Sequence, residues 1–212
     1  MSDKAFFSFL MKIALLCVSL PMGAPLAHAQ WLTGEEAIMG TAIRVELWAD
    51  DKAAGEAAIA AVMEEMHRID REMSPYKPES ELSRINREAA DHPVPISAEM
   101  FDILSRSIEF SKLSGGAFDI TFSSVGYLYD YRHHIKPTDK EIERALPGIN
   151  YRHILLDAKK QTVKFARPGV RIDLGGIGKG YAVDNGIVLL KKRDITQAII
   201  SRRCRTRNHD HG

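Results

Sequence analysis

Val170-Arg-Ile-Asp-Leu-Gly-Gly-Ile-Gly-Lys-Gly180-Tyr-Ala-Val-Asp184 joins an alternating segment to a glycine-rich turn and a helical pattern. Its first five residues alternate apolar and polar, which predicts a strand over 170–174. Glycines at 175, 176, 178 and 180 predict a turn, and Ala182, Val183, Ile187 and Leu190 then recur on one helical face. A strand thus delivers Asp173 to a turn that opens a helix. Two common phosphate loops are excluded by spacing. Lys179 is followed by Gly180 where a Walker A loop needs Ser or Thr, and the third glycine of a dinucleotide fingerprint counted from Gly176 and Gly178 falls on Tyr181. What remains is chemically simple. Glycines let backbone groups approach a ligand closely, a helix N-terminus favours an anion, and an acid beside carbonyl oxygens suits a hard cation such as Mg²⁺. Alone, the stretch is a generic anion loop.

Outward from it, the chain mixes helices with hairpin strands. Upstream, His153-Ile-Leu-Leu156 and Thr162-Val-Lys-Phe165 flank a polar link and read as a hairpin. Thr138-Asp-Lys-Glu141 after Pro137 is a capping-box start for a short helix that ends at Pro147-Gly148. Ser97, with Glu99 in the first turn, opens a helix that points Phe101, Leu104 and Ile108 inward and ends before Gly115-Gly116. Residues 52–73 place Ile59, Val62, Met63, Met66, Ile69 and Met73 on one face, a core stripe, until Ser74-Pro75-Tyr76-Lys77-Pro78 stops the helix. Ala42-Ile-Arg-Val-Glu-Leu-Trp48 alternates as a half-buried strand. This order predicts an α+β fold with a mixed or antiparallel sheet and packed helices, rather than a doubly wound one. His133-His134, in a polar loop, reads as solvated surface.

Composition sets the bounds. The chain has 212 residues, 45% hydrophobic and 27% charged, enough for one domain with a real core. A formal net charge of +1 provides no global field for nucleic acid. Residues 1–29 read as a signal peptide: Lys4 and Lys12, the apolar run Ile13 to Leu20, and the small-x-small site Ala27-His28-Ala29. An uncleaved leader or one lipidated at Cys17 is the alternative, although Leu16 stands where a small residue usually precedes a lipidated cysteine. The mature chain keeps one cysteine, Cys204, so no internal disulfide is expected, which fits a periplasmic location. Residues 30–200 form the expected working domain. Residues 201–212 hold four Arg against one Asp without apolar periodicity and read as an aberrant basic tail, His209-Asp210-His211 included.

Three more segments, in order, join the glycine stretch: Met39-Gly40-Thr41, the run Met73-Ser-Pro-Tyr-Lys-Pro-Glu-Ser-Glu-Leu-Ser-Arg-Ile-Asn86, read here as a helix stop with a polar loop, and Gly115-Gly-Ala-Phe-Asp-Ile-Thr121. In this order and spacing they resemble the ApbE family, FAD:protein FMN transferases, over residues 37–200. The resemblance implies that Met39, Tyr76, Ala117, Phe118, Asp119, Asp173 and Lys179 contact FAD, and that Gly176 gives a Mg²⁺ ligand through its carbonyl. It implies Mg²⁺-dependent transfer of FMN from FAD to a Thr or Ser hydroxyl of an acceptor flavoprotein, with AMP released. The implied partner is a subunit of a membrane redox complex. An aromatic and a thioether suit a flat ring. The family's pattern runs on past Ser201 with a glycine-rich strand, a His-containing segment and a late acidic motif. The tail departs from it, as in a truncated or frame-shifted reading frame, so weak Mg²⁺ binding and little transferase activity are expected of this chain. The alternatives are a non-catalytic exported flavin-binding protein, an FAD diphosphatase, or an anion-binding module on the glycine turn alone.

Overall fold

The computed structural model describes residues 29–130 and 133–203. The leader up to residue 28 with Cys17, Cys204, and the His209-Asp210-His211 triplet lie outside the described residues.

The first sheet is antiparallel. Strand β1 (Gln30–Ile38) turns through Met39-Gly40 into β2 (Thr41–Ala49), with Ile38 opposite Thr41 and Gln30 opposite Ala49. On β2 every second residue is buried, Ile43, Val45, Leu47 and Ala49. That alternation is the one the sequence carries. β1 is an addition to the sequence reading, which began at Ala42. Glu35, Glu36 and Ala37 are exposed, and Gly34 breaks the apolar rhythm. Gly34 sits there because helix packing demands it: a Cβ would lie 2.4 Å from Cγ2 of Ile59.

Helix α1 (Lys52–Met73) crosses this sheet. Asp51 caps it by accepting from the Ala54 N–H at 2.7 Å, and it ends at Ser74 before Pro75. Its buried face is the anticipated stripe, with Val62, Met66 and Ile69 fully buried. Each such side chain contributes about 1.5–3 kcal/mol of transfer free energy. Helix α2 (Glu81–Glu88) lies where the sequence predicts a polar loop. Ser80 caps it by accepting from Ser83 N–H at 3.0 Å, and Leu82 and Ile85 are fully buried. Eight mostly polar residues hide an apolar pair spaced by three, which is why periodicity over a longer window misses it.

The two-residue strand β3 (Val94–Pro95) leads to α3 (Ala98–Leu113), capped by Ser97 as expected. Gly115 and Gly116, at φ +62° and +90°, close it, with the Gly116 N–H reaching back to Ser111 O at 2.8 Å. A 3₁₀ turn over Ile120–Phe122 and the one-turn helix α4 (Ser123–Gly126) follow. Helix α5 (Asp139–Ala145) carries the full capping box between Thr138 and Glu141. The hairpin β4 (Ile154–Asp157) and β5 (Thr162–Phe165) forms as read, and β3 joins it to give the second sheet, order β3-β5-β4.

Helix α6 (Gly178–Lys191) packs on α1, and β6 (Ala198–Arg203) returns to the first sheet, which has the order β1-β2-β6. β6 pairs through Arg203, opposite Ala42. The ladder therefore runs three residues past Ile200, where the sequence reading began a tail. Ladder bonds are made by backbone groups, which an arginine supplies as well as an isoleucine. The fold is α+β with antiparallel sheets, and no helix among the described residues is long and apolar enough to cross a membrane.

Residues 170–174 correct the sequence reading. They are extended and alternate in burial, with Val170, Ile172 and Leu174 inside, yet no strand flanks them. Side chains take the ladder's place. Asn86 accepts from Ile172 N–H at 2.8 Å and donates to Ile172 O at 2.9 Å. Ser124 Oγ accepts from Arg171 N–H at 3.0 Å, and Asp173 N–H donates to Ile120 O at 3.0 Å. A period-2 pattern reports burial on one face, and it is blind to what satisfies the backbone.

Candidate functional site

Three loops meet beside Asp173. The first is the β1–β2 turn, where Met39 and Gly40 have φ +53° and +72°. Positive φ at both central residues is the type I′ hairpin geometry, which favours Asn, Asp or Gly. Methionine in the left-handed region is strained, and strain of this kind concentrates at ligand-contacting positions. The second loop follows α1. Ser80 Oγ donates to Ser74 O at 2.6 Å and Lys77 Nζ pairs with Asp70 at 2.6 Å, so the loop is fixed from both ends. At its tip Tyr76 presents a large aromatic ring that is 88% exposed.

The third loop is the glycine turn itself. Asp173 Oδ1 accepts from Gly175 N–H at 2.5 Å, which folds the chain back on itself. Ile177 and Gly178 N–H both donate to Leu174 O. Among the described residues no acceptor meets the N–H groups of Lys179 and Gly180 in the first turn of α6, and Lys179 forms no ion pair. Two free amides and a lysine at a helix start form a site for an anion.

Met39, Met73, Tyr76, Lys77, Asp173 and Lys179 line one cavity of about 480 Å³ around this meeting point. Tyr76 and Asp173 also border a second, aromatic cavity of about 540 Å³ that contains Phe122, Tyr127, Tyr129 and Arg171. Phe118 and Gly176 lie on the other side of the glycine turn, in a cavity of about 670 Å³ with Phe110, Tyr181 and Asp184. The Phe118 ring lies over Gly176, where a Cβ would come within 3.2 Å of it. So of the expected contacts, Met39, Tyr76, Asp173 and Lys179 converge, whereas Phe118 and Gly176 share a separate hollow.

Ala117 and Asp119 border none of these three cavities. Asp119 is bound into the fold: Oδ1 accepts from Thr121 N–H at 2.8 Å and Thr121 Oγ1–H at 2.6 Å, and Oδ2 accepts from Tyr151 N–H at 2.7 Å. Its geometry organises the loop that carries Ile120 O to Asp173. No group of three or more His, Cys, Asp or Glu side chains able to hold a metal is assembled among the described residues. These residues therefore do not by themselves fit a Mg²⁺ cage.

Sequence reasoning passed over the support beneath the turn. Arg68 of α1 forks onto Glu65 and Glu99, with hydrogen bonds of 2.7–2.8 Å. Tyr181, two residues into the helix from Lys179, donates to Glu99 at 2.8 Å, and Asn185 donates to Glu65 at 3.0 Å. The Arg68 hydrogen bonds hold both Glu65 and Glu99 below the usual carboxylate range, while burial, followed by Glu99, pushes the Tyr181 hydroxyl up. The available signal was Glu65 and Arg68, three apart on the polar flank of α1.

A model of the ApbE family matches residues 39–205. An FAD:protein FMN transferase of Klebsiella pneumoniae is 28% identical over 184 residues, covering 84% of this chain and 52% of the relative. One of Haemophilus influenzae is 32% identical over 161 residues, covering 69% of this chain and 45% of the relative. The crystal structure of the ApbE protein of Thermotoga maritima superposes with a TM-score of 0.74 at 28% identity, covering 82% of this chain and 57% of that one. The flavin transferase ApbE of Vibrio cholerae has the same fold, TM-score 0.74 at 22% identity. The chain spans about half the length of the curated relatives it matches.

Proposed function

The chain belongs to the ApbE family, and from that premise we propose that it binds FAD and works in transfer of its FMN half to a Thr or Ser hydroxyl of an acceptor flavoprotein, with AMP released. One observation carries the reading: Met39, Tyr76, Asp173 and Lys179, drawn from three loops far apart in sequence, line a single cavity at the free amides of a helix start. In this reading the diphosphate lies against the Lys179 and Gly180 N–H groups and the Lys179 ammonium. Tyr76 and Met39 border the ring systems. Asp173, held by Gly175, sets the shape of the turn.

In the transfer, the acceptor hydroxyl oxygen forms a bond to the phosphorus of the FMN half. The bond from that phosphorus to the bridging oxygen breaks, AMP leaves with the oxygen, and the hydroxyl proton goes to solvent. Negative charge grows on the leaving phosphate, and Lys179 with the two amides is placed to stabilise it. Mg²⁺, if bound, would supply further charge neutralisation. The Gly176 carbonyl would contribute one of its ligands, and no step here depends on the ion. Phe118 borders the neighbouring cavity, and Ala117 and Asp119, which border none of the three, stand as proposed FAD contacts on the resemblance alone. The proposed setting is the periplasm, with a subunit of a membrane redox complex as acceptor; an uncleaved or lipidated N-terminus is the alternative that would attach the chain to the membrane.

Binding comes first in the test. Titration of the purified chain with FAD should quench flavin fluorescence and raise the melting temperature, and Asp173→Ala and Tyr76→Ala should each weaken both responses. In the second arm the protein is mixed with FAD, Mg²⁺ and a Thr-bearing acceptor domain. A covalent fluorescent band with AMP release supports transfer, whereas FMN and AMP appearing together without a band indicates hydrolysis. Absence of FAD binding to the wild-type chain would overturn the reading.

A further inference from the structure

We propose that Tyr181 is the positioning residue of the anion site: its hydroxyl, bonded to Glu99, holds the first turn of α6 so that the Lys179 and Gly180 N–H groups meet the diphosphate of FAD. The inference rests on the FAD reading above and concerns residues that stand behind the site without touching the ligand. Helix α6 has little of its own to hold that turn. Its N-cap, Ile177, makes no side-chain capping bond, and glycines occupy the first and third helical positions, 178 and 180. Each glycine weakens a helix relative to alanine, because its backbone has more freedom to lose. The bare amides that suit an anion are thus carried by the part of the helix most prone to fray.

Tyr181 closes that turn twice. Its N–H donates to Ile177 O at 3.0 Å, and its hydroxyl donates to Glu99 Oε1 at 2.8 Å. Lys179 and Gly180 therefore lie between two fixed points, the Gly178 N–H on Leu174 O and the doubly bonded Tyr181. Glu99 is itself held. It belongs to the first turn of α3, and Arg68 of α1 donates to both of its oxygens at 2.7 Å. Arg68 is fixed in turn by two bonds to Glu65, whose Oε1 also accepts from Asn185, one turn further along α6, at 3.0 Å. Three helices are thus tied to one guanidinium, and α6 is tied to it at two successive turns. The Arg68 hydrogen bonds keep Glu99 in its charged, accepting form, while burial, followed by Glu99, pushes the Tyr181 hydroxyl up, so it stays a donor. A bond to a charged acceptor is the stronger kind.

The test measures binding of FAD and ADP, which share the diphosphate, to the full chain by calorimetry. Tyr181→Phe, which removes one hydroxyl and keeps the ring, should weaken both about fivefold or more, the scale of a lost hydrogen bond to a charged acceptor. Amide hydrogen exchange should quicken across residues 178–182 and keep its wild-type rate across 187–191, the mark of a frayed first turn rather than of a looser fold. Glu99→Ala should weaken both ligands as well. Adding Tyr181→Phe to it should cost no further affinity, because the hydroxyl acts only through that carboxylate. Leu47→Ala is the control for stability: it lowers the melting temperature and leaves ADP affinity at the wild-type level. Wild-type affinities in Tyr181→Phe, the same fold loss again on top of Glu99→Ala, or quickened exchange spread evenly along α6 would each overturn the role of Tyr181, while the FAD reading stands on Asp173→Ala and Tyr76→Ala. A wild-type chain that binds neither FAD nor ADP overturns the FAD reading itself, and the role of Tyr181 with it.

Discussion

β2 and residues 170–174 carry the same pattern in sequence and are built in different ways. Both bury alternate residues, Ile43, Val45 and Leu47 in one and Val170, Ile172 and Leu174 in the other. β2 lies between β1 and β6 and is held by main-chain bonds on both edges. The 170–174 segment is held by the side chains of Asn86 and Ser124 and by one carbonyl, Ile120 O. A ladder of backbone bonds survives most changes of side chain, since every residue but proline supplies the same groups. A segment held by two side chains does not. The second arrangement is the one that presents Arg171 and Asp173 to the cavities, so the site depends on few residues while the core depends on many.

The largest expected effect belongs to the core. Leu47→Ala should cost about 3 kcal/mol in denaturant unfolding, the usual range for a buried Leu to Ala change, while the folded fraction binds FAD with unchanged affinity. A loss of affinity equal to that of a site variant would erase the contrast between the two regions. Asn86→Ala comes next. It strands the N–H and C=O of Ile172, both buried, at about 2 kcal/mol, and it should also lower FAD affinity because the segment bearing Asp173 loses its anchor. Stability loss without any change in FAD binding would show that the anchoring does not reach the site.

A smaller, pH-dependent effect probes the support under the glycine turn. Glu65 and Glu99 sit below the usual glutamate range, first because Arg68 hydrogen-bonds them. Carboxyls lowered in this way contribute stability that is present above their unfolded-state values and is lost as pH falls through the folded-state ones. Arg68→Met should therefore lower the melting temperature at neutral pH, and the gap to wild type should close as pH drops below the ordinary glutamate range. A gap that stays constant with pH would mean that Arg68 acts through packing alone. The smallest effect is at the hairpin tip. Met39→Asn relieves a left-handed methionine and should stabilise the chain by about 0.5 kcal/mol, yet weaken FAD binding. Stabilisation with no loss of binding would remove Met39 from the site.

By itself the sequence determined what local rules encode. The length of α1 follows from its apolar stripe and from Pro75, α3 from Ser97 and the Gly115-Gly116 stop, α5 from its capping box, and the β4–β5 hairpin from its polar link. These are contacts within a turn or two of the chain, where spacing and cap chemistry suffice. Met39, Tyr76, Asp173 and Lys179 were marked by the order and spacing of segments that resemble the ApbE family, whereas local rules read only a strand entry, a helix stop and a glycine turn around them. Tertiary structure alone decided that β1 lies across Gly34 under Ile59, that Asn86 and Ser124 take the place of a strand beside 170–174, and that Arg68 joins Glu65 to Glu99 under Tyr181. Asn86 meets Ile172 from 86 positions away. At that separation the partner is chosen by where packed helices bring a side chain, a choice that no window of residues records.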